Sequence, residues 1–357
     1  MNDRIDRHPD QRWMRRALKL AALGPLGDPN PRVGAVIVDA AGDLAGEGFH
    51  RGAGTPHAEV EALASAGRRA IDGTAYVTLE PCNHTGRTGP CVQALIGAGV
   101  SRVVYAQPDP NATASGGAAT LRAAGIEVEE GVQAAAAEQL NAEWTFALRQ
   151  GRPWVTWKFA ATLDGRSAAA DGSSQWITGP DARADVHLLR ARAGAILVGT
   201  GTALRDDPSL TTRLPDGSLQ QRQPLRVVMG RRRLPDGARV LDNSAPTLLA
   251  QQQDPALTLQ QLAVREIRHV WLEGGPTLAA AFVAAGLVDE VVAYLAPALL
   301  GAGPPAVGAL GIHSIAQALR LHPYDVTTIG PDIRVRATTH APSPRSTEQE
   351  GPGCSPE

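Results

Sequence analysis

His57-Ala58-Glu59, Cys82 and Cys91 constrain this chain more tightly than any other feature. For one imidazole and two thiols to reach a common centre, the intervening chain must cross a domain and return. Residues 57–67 carry a helical pattern, 75–79 read as an apolar strand, and 89–98 read as a second helix. The three groups therefore fall at a helix start, just past a strand end, and at the next helix start. A zinc ion held by one His and two thiolates keeps a fourth position open for water, the layout of a catalytic rather than a structural site. Zinc lowers the pKa of such a water toward ~7, and Glu59 is placed to take its proton. A helix amino terminus also favours the thiolate form of a cysteine beside it.

The rest of the chain repeats the same alternation. Residues 9–24 predict a helix with Trp13, Ala17, Leu20 and Ala21 on one face, ended by Gly24-Pro25. Strands are predicted at 33–38 and 44–49 (a hairpin), 102–106 and 126–129, with helices at 116–124 and 134–149. Gln150-Gly151-Arg152-Pro153 breaks the pattern, which restarts with strands at 154–160, 195–199, 225–229, 247–250, 270–273 and 290–295. Helices are predicted at 181–192 and 277–285, and the stretches 214–224 and 251–261 read as surface loops. This is an α/β chain with helices on mostly parallel sheets. Its expected domains are 1–150 and 151–340, followed by a disordered tail at 341–357 that carries the bystander Cys354.

Composition excludes some function classes. A formal net charge of −2 gives no general attraction to nucleic acid or to an anionic membrane. No apolar run approaches the ~20 residues that span a bilayer, and the N-terminus lacks the apolar stretch of a secretory signal. Three cysteines cannot all pair, and two are wanted as thiolates, so the expected compartment is cytoplasmic. The chain is expected to act on a small molecule, without nucleic-acid or membrane partners, as a homo-oligomer. Lysine is confined to Lys19 and Lys158 in an arginine-rich background. That draws attention to Lys158, because a compact ammonium has a movable pKa that guanidinium lacks.

A lone His-x-Glu is usually an exposed helix start, and single buried cysteines are ordinary core residues. The conjunction of His57-Ala58-Glu59, Leu79-Glu80-Pro81-Cys82 and Cys91 is much more specific, because it meets the ligand set of the zinc deaminases. The second cysteine departs from the usual Cys-x-x-Cys spacing, with eight residues between Cys82 and Cys91. A closed structural site would need a fourth protein ligand, for which His84 is the candidate. Other divalent metals tolerate the same donors.

These residues resemble a known family. His57-Ala58-Glu59-Val60, with the run from Leu79 to Cys91 and its His84-Thr85-Gly86-Arg87-Thr88 element, looks like the deaminase half of the bifunctional riboflavin-biosynthesis deaminase/reductases, which have the long spacing. Asn30-Pro31-Arg32-Val33-Gly34 is similar to that family's pyrimidine-pocket segment. The resemblance continues past residue 150. The second half lacks a Gly-x-Gly-x-x-Gly turn, so a Rossmann domain is not indicated. Lys158–Arg166, Gly172–Thr178, Asp206–Arg213 and Glu273-Gly274-Gly275-Pro276-Thr277 instead resemble the reductase half.

The resemblance implies an N-terminal cytidine-deaminase-like α/β/α sandwich and a C-terminal dihydrofolate-reductase-like α/β domain, with Zn2+ and NADPH as cofactors. It implies His57, Cys82 and Cys91 as metal ligands, Glu59 and Lys158 as catalytic residues, and Asn30 and His84 at the pyrimidine. NADPH would meet Ala160, Ser167, Trp176, Thr202 and Asp206, with Gly275, Pro276, Thr277, Leu278, Ala279, Ala280 and Ala281 at its phosphates. The phosphorylated pyrimidine substrate would meet Ser174, Arg190, Leu210, Arg213 and Glu273. Two other readings remain open: a nucleoside or tRNA deaminase fused to a binding-only domain, and a zinc-stabilised interaction protein without catalysis.

Overall fold

The computed structural model describes residues 9–84 and 89–340. The expected tail, Cys354 and the Thr85–Thr88 part of the long insert lie outside the described residues. The chain divides into two compact units. One comprises the chain up to Trp154 with Ala191–Gly194 and Leu259–His269; the other comprises Val155–Arg190, Ala195–Thr258 and the chain from Val270 onward.

In the first unit the elements run α1 (Pro9–Ala21), β1 (Gly34–Val38), β2 (Leu44–Phe49), α2 (Ala58–Ala66), β3 (Thr74–Leu79), α3 (Cys91–Ala98), β4 (Arg102–Gln107), α4 (Gly117–Ala123), β5 (Glu127–Glu130), α5 (Ala134–Leu140) and α6 (Ala142–Gln150). The sheet order is β2-β1-β3-β4-β5. β3, β4 and β5 are parallel, while β1 is antiparallel to both its neighbours. Alternate strand residues bury opposite faces. Val36, Val38, Tyr76 and Val104 pack with Trp13, Met14 and Ala17 of α1 and with Ala137 of α5. Ala35, Ile37, Ala75, Val77 and Val103 pack with Ala58, Ala62 and Ala66 of α2 and with Leu95 of α3. The result is an α/β/α sandwich.

α2 lies unusually close to β2 because Gly46 and Gly48 face it. A Cβ placed on Gly48 would stand 2.5 Å from the Ala58 carbonyl oxygen and 2.6 Å from the Ala62 nitrogen, with an equally tight approach at Gly46. Only the missing side chain permits that spacing.

The helix expected over 134–149 is two helices. Asn141 breaks it, buried, with Oδ1 accepting from the Arg32 N–H at 2.8 Å and Nδ2 donating to the Arg32 carbonyl at 3.0 Å. Its side chain thus pins the segment that carries Asn30.

From Trp154 onward, in the stretch that forms the second unit apart from Ala191–Gly194 and Leu259–His269, the elements are β6 (Trp154–Thr162), α7 (Pro180–Arg190), β7 (Ala195–Gly199), α8 (Thr200–Asp206), β8 (Leu225–Met229), β9 (Thr247–Ala250), α9 (Pro255–Ala263), β10 (His269–Leu272), α10 (Pro276–Ala284), β11 (Glu290–Ala296), β12 (His322–Ile329) and β13 (Asp332–Thr338). Sheet order is β12-β13-β11-β6-β10-β7-β8-β9. β11 is parallel to β6, and β10, β7, β8 and β9 are parallel in turn; β13 and β12 turn antiparallel at the end of the sheet.

The loop expected at 251–261 is corrected by α9. Asp254 accepts from the Ala256 N–H at 2.8 Å, Pro255 suits the first helical position, and Leu259 and Leu262 are fully buried. Burying two leucines contributes roughly 3–6 kcal/mol, which outweighs the polar look of a stretch whose glutamines are in any case good helix formers.

Candidate active sites

Three backbone ends converge in the first unit. His57 is the N-cap of α2 in extended conformation, Cys91 opens α3 behind Pro90, and Cys82 follows β3. His57 Nδ1 lies 3.1 Å from Cys91 Sγ and 3.5 Å from Cys82 Sγ, and the three donor atoms lie within 4.8 Å of one another. A tetrahedral zinc with ordinary Zn–N and Zn–S bonds separates neighbouring N and S donors by roughly 3.6 Å. Spacing and donor chemistry therefore fit zinc. The Cys91 N–H also points at Cys82 Sγ at 3.4 Å.

The thiols are prepared for a cation. Hydrogen bonds from Cys91 and then His57 bring the Cys82 thiol down to about 4, although burial opposes them. Cys91 is pushed up by its bond to Cys82 and by burial. His57 is raised, chiefly through Cys82.

Glu59 sits one residue into α2, 4% exposed, with its carboxyl raised by burial against the opposing pull of His57. A carboxyl group raised in this direction is better suited than an ordinary one to carry a proton both ways.

These groups border a cavity of about 320 Å³ whose lining includes Asn30, His57, Glu59, Cys82 and His84, so the structure brings the expected residues together. The lining also includes His50, Asp109 and Trp144, which sequence reasoning passed over, and Glu80, which it quoted in the Leu79–Cys82 run without giving it a role. Asn30 Nδ2 lies 3.0 Å from His50 Nε2, and His50 Nδ1 lies 3.1 Å from the Pro56 carbonyl. This pairing suits a neutral ring protonated at Nδ1, and burial lowers the His50 pKa accordingly.

Glu80 is buried and accepts backbone N–H groups from Asp109 (3.3 Å), Gly116 (3.1 Å) and Ala118 (3.1 Å). It thereby ties the 109–118 segment to the end of β3. Burial raises the Asp109 carboxyl to about 6, with the Glu80 charge adding to it. Sequence spacing does not announce this role of Glu80, because its partners are main-chain groups far along the chain.

In the second unit Lys158, Arg190 and Glu273 form one cluster. Arg190 donates through Nε to Glu273 Oε1 at 2.6 Å and through Nη2 to Oε2, and Trp271 Nε1 also donates to Glu273. Burial alone would raise the Glu273 carboxyl. Arg190, reinforced by Lys158 and Trp271, instead holds it down at about 2. Lys158 has its ammonium 5.8 Å from the Tyr294 ring centre, and burial lowers its pKa. His187, one turn before Arg190 on α7, has a buried Nδ1 without a partner; burial and Arg190 lower its pKa, and Arg213 adds to the effect.

The remaining expected residues are placed as follows. Ser167 Oγ donates to the Pro304 and Pro305 carbonyls, and Asp206 pairs with Arg205. Trp176 is exposed with the Arg183 guanidinium 4.4 Å above its ring, and Ser174 is half-buried in the same loop. Leu210 is 3% exposed with φ 48°. Arg213 donates to the Gly217 carbonyl at 2.8 Å. Ala160 and Lys158 lie on β6. Gly275 caps α10 with Pro276 at the first position and no side chain capping the helix N–H groups, and Thr202 Oγ1 faces it. A phosphate suits such an end. Ala279 and Ala280 are buried further along, leaving Gly275, Pro276 and Thr277 at the open end.

Comparison with known proteins accords with both units. The cytidine and deoxycytidylate deaminase zinc-binding region matches residues 7–107, and the RibD C-terminal domain matches 153–335. The riboflavin biosynthesis protein RibD of Mycobacterium tuberculosis is 53% identical over 309 residues, covering 85% of this chain and 90% of that protein. Among solved structures, Acinetobacter baumannii RibD superposes with a TM-score of 0.85 at 43% identity, over 92% of this chain and 98% of that one. The diaminohydroxyphosphoribosylaminopyrimidine deaminase/5-amino-6-(5-phosphoribosylamino)uracil reductase of Thermotoga maritima does so at 0.83 and 32% identity, over 93% and 99%. Similarity that runs through both halves at these identities settles the classification: the chain belongs to the RibD family of bifunctional riboflavin-biosynthesis deaminase/reductases.

Proposed function

We propose that the first unit hydrolyses the 2-amino group of 2,5-diamino-6-(5-phosphoribosylamino)pyrimidin-4(3H)-one, and that the second reduces the ribosyl group of the product to ribityl with NADPH. The observation that carries the first half is the convergence of His57 Nδ1 with the Cys82 and Cys91 sulfurs beside Glu59 at one cavity. Zinc, when bound, supplies Lewis-acid activation of water at neutral pH. Glu59 takes the proton of the attacking water and passes it to the departing nitrogen, so a C–O bond forms, a C–N bond breaks and ammonia leaves. Asn30, oriented by His50, and His84 hold the pyrimidine, and Glu80 fixes the segment that closes the cavity.

In the second unit NADPH, when bound, would supply the hydride for the anomeric carbon, and the sugar oxygen released there would take a proton. Lys158 supplies the charge or the proton at that oxygen. Arg190 and Arg213, with Ser174, bind the substrate phosphate, since guanidinium pairs bidentately with phosphate oxygens. Glu273 holds Arg190 and contacts the sugar. NADPH, when bound, would be held by Ala160, Ser167, Trp176, Thr202 and Asp206, and the open end of α10 formed by Gly275, Pro276 and Thr277 would take its phosphates. The deaminase domain is taken as 1–150 and the reductase as 151–340.

Among the described residues no helix is long and apolar enough to cross a membrane. We take the chain to be a cytoplasmic homo-oligomer. Two cysteines that are not joined in a disulfide and are wanted as metal thiolates support the first point; β12, an end strand presenting Tyr324 and Val326 to solvent, supports the second. Light scattering checks the assembly.

The deciding assay incubates purified protein with zinc, NADPH and the diaminopyrimidine while ammonia and NADPH are followed together. Ammonia release ahead of NADPH oxidation supports the reading. Ammonia without any NADPH oxidation reduces the second unit to a binding domain, and zinc without either leaves a structural metal protein.

A further inference from the structure

Part of the wall of the metal-site cavity comes from a segment far along the chain. Leu259–His269 belongs to the first unit, and its Glu266 and Arg268 join the lining that holds Glu59 and the metal donors. The turn after α9 brings them there. Glu266 takes the left-handed position that ends the helix (φ 58°), its N–H on the Ala263 carbonyl at 2.9 Å and the Ile267 N–H on the Leu262 carbonyl at 3.1 Å. The main chain beyond is held twice. The Arg268 carbonyl accepts from the Trp154 N–H at 2.9 Å, and the His269 carbonyl accepts from the Gly194 N–H at 3.0 Å.

A series of contacts runs along this wall from the metal donors to Arg268. The His57 and His50 rings stand edge to face with centres 5.4 Å apart. His50 Nε2 meets Asn30 Nδ2, and the carbonyl of the preceding Pro29 accepts from Arg268 Nε at 3.4 Å. Arg268 is half-buried, and among the described residues it is in no ion pair and its Nη groups make no hydrogen bond. Burial works against its charge, opposed by Glu266.

The signs of charge around the cavity give this group its meaning. Among the described lining residues Arg268 is the one guanidinium and there is no lysine, whereas Glu59, Glu80, Asp109 and Glu266 are all carboxyl groups. Such a lining disfavours a dianionic phosphate, and Arg268 is the permanent side-chain cation that offsets it. A smaller cleft of about 50 Å³ shares Asn30, Trp144 and Arg268 with this cavity and adds Arg32 and Arg192. Arg192 pairs with Glu143 at 3.3 Å, Asp28 accepts from the Asn30 and Ala53 N–H groups, and Arg32 Nε is buried without a partner. Positive charge therefore gathers beside Asn30. With Asn30 on the pyrimidine, Arg268 falls beyond the ring, where a ribosyl phosphate would extend.

We propose that Arg268 binds the 5′-phosphate of the pyrimidine substrate during deamination, which makes the α9–β10 turn part of the deaminase site. The inference rests on the deaminase reading of the first unit. Guanidinium meets phosphate through two parallel N–H groups, and the Nη groups of Arg268 supply them.

The test measures ammonia release by full-length, zinc-loaded wild type, Arg268→Ala, Arg268→Lys and Arg265→Ala. Each is given the phosphorylated substrate and the same compound without its phosphate. Arg268→Ala should raise KM for the phosphorylated substrate by about 10- to 100-fold, with kcat nearly unchanged and no rise for the dephosphorylated one. Arg268→Lys should recover part of the loss, since it restores charge without the planar fork. Arg265, exposed at the end of α9 and donating to the Gln261 carbonyl at 3.1 Å, carries the same charge three residues away. Arg265→Ala should behave as wild type. NADPH oxidation on the deaminated intermediate reports that each variant is folded.

An unchanged KM in Arg268→Ala, or an equal rise for both compounds, overturns the proposal. The same rise in Arg265→Ala would mark a general field and overturn it too. Wild-type protein that holds zinc and releases no ammonia would overturn the deaminase reading itself, and this inference with it.

Discussion

Arg190 and Glu273, 83 positions apart, meet as a two-pronged ion pair that joins the last turn of α7 to the residue following β10. Arg190 Nη1 turns toward the Thr211 carbonyl at 3.4 Å, so one guanidinium spans the acid and the 207–213 segment. The cationic cluster of Lys158 and Arg190 thus contains a built-in carboxylate, and its field is set by the balance between them.

That pair has a pH signature. The Glu273 carboxyl is held at about 2 in the folded chain against an ordinary 4.5. A depressed acid contributes stability above its unfolded pKa, and the contribution is lost as pH falls through the folded value. The contribution, about 3 kcal/mol, is therefore complete above about 4.5 and drains away toward about 2. Glu273→Gln should lower the stability of this unit at pH 7 by that order and flatten its dependence across the same acid window. Urea melts at pH 7 and pH 3 read both; identical acid slopes for the two proteins would contradict it.

Glu59→Gln keeps the shape of the side chain and removes its proton chemistry. Zinc content should stay at one ion per chain while ammonia release falls about 10²- to 10⁴-fold, with NADPH oxidation on the deaminated intermediate unaffected. Metal analysis alongside the two rate assays decides it, and wild-type deamination would remove Glu59 as the proton carrier.

Removing the metal should separate the halves. A strong chelator, or Cys91→Ser, should abolish ammonia release while reduction of the supplied intermediate continues, because the Lys158–Arg190–Glu273 cluster contains none of the metal donors. Parallel loss of both rates would argue that the two units depend on one another to stay folded.

Lys158 should matter to reduction alone. Its pKa is lowered from 10.5, so its ammonium is lost earlier than an ordinary lysine's as pH rises, and the reductase rate should fall along an alkaline limb below that value. Lys158→Ala should remove the limb together with most of the rate, leaving deamination intact. Lys158→Arg retains charge without a transferable proton; full rescue by arginine would leave Lys158 an electrostatic role only.

The metal centre was legible because few residue types bind zinc, and their placement at element ends survived the unusual Cys82–Cys91 spacing. The reductase residues carry no such restriction, and family resemblance singled them out. Other features were hidden for definite reasons. Glu80, Asn141 and His50 act through main-chain partners or one distant side chain. Arg226, wholly buried on β8 and bonded to Asp242 and several carbonyls, breaks the rule that charge marks surface. α9 was masked by its glutamines. β12 and β13, the hairpin at the end of the second sheet, were not anticipated, since β12 is half-exposed and mixes Asp325 and Thr327 with Val326 and Ile329.

The glycines of β2 act as a spacer of zero thickness beneath the catalytic helix. Because α2 rests on Gly46 and Gly48 without intervening side chains, the height of His57 and Glu59 above the sheet is fixed by atoms that are absent. One methyl group on the sheet is thus a lever on coordination chemistry at the helix end. Gly48→Ala should lift the first turn of α2 by a few tenths of an ångström or more, and zinc affinity should fall before the melting temperature does. Competitive chelator titration set against a thermal melt would show the metal leaving a chain that is still folded.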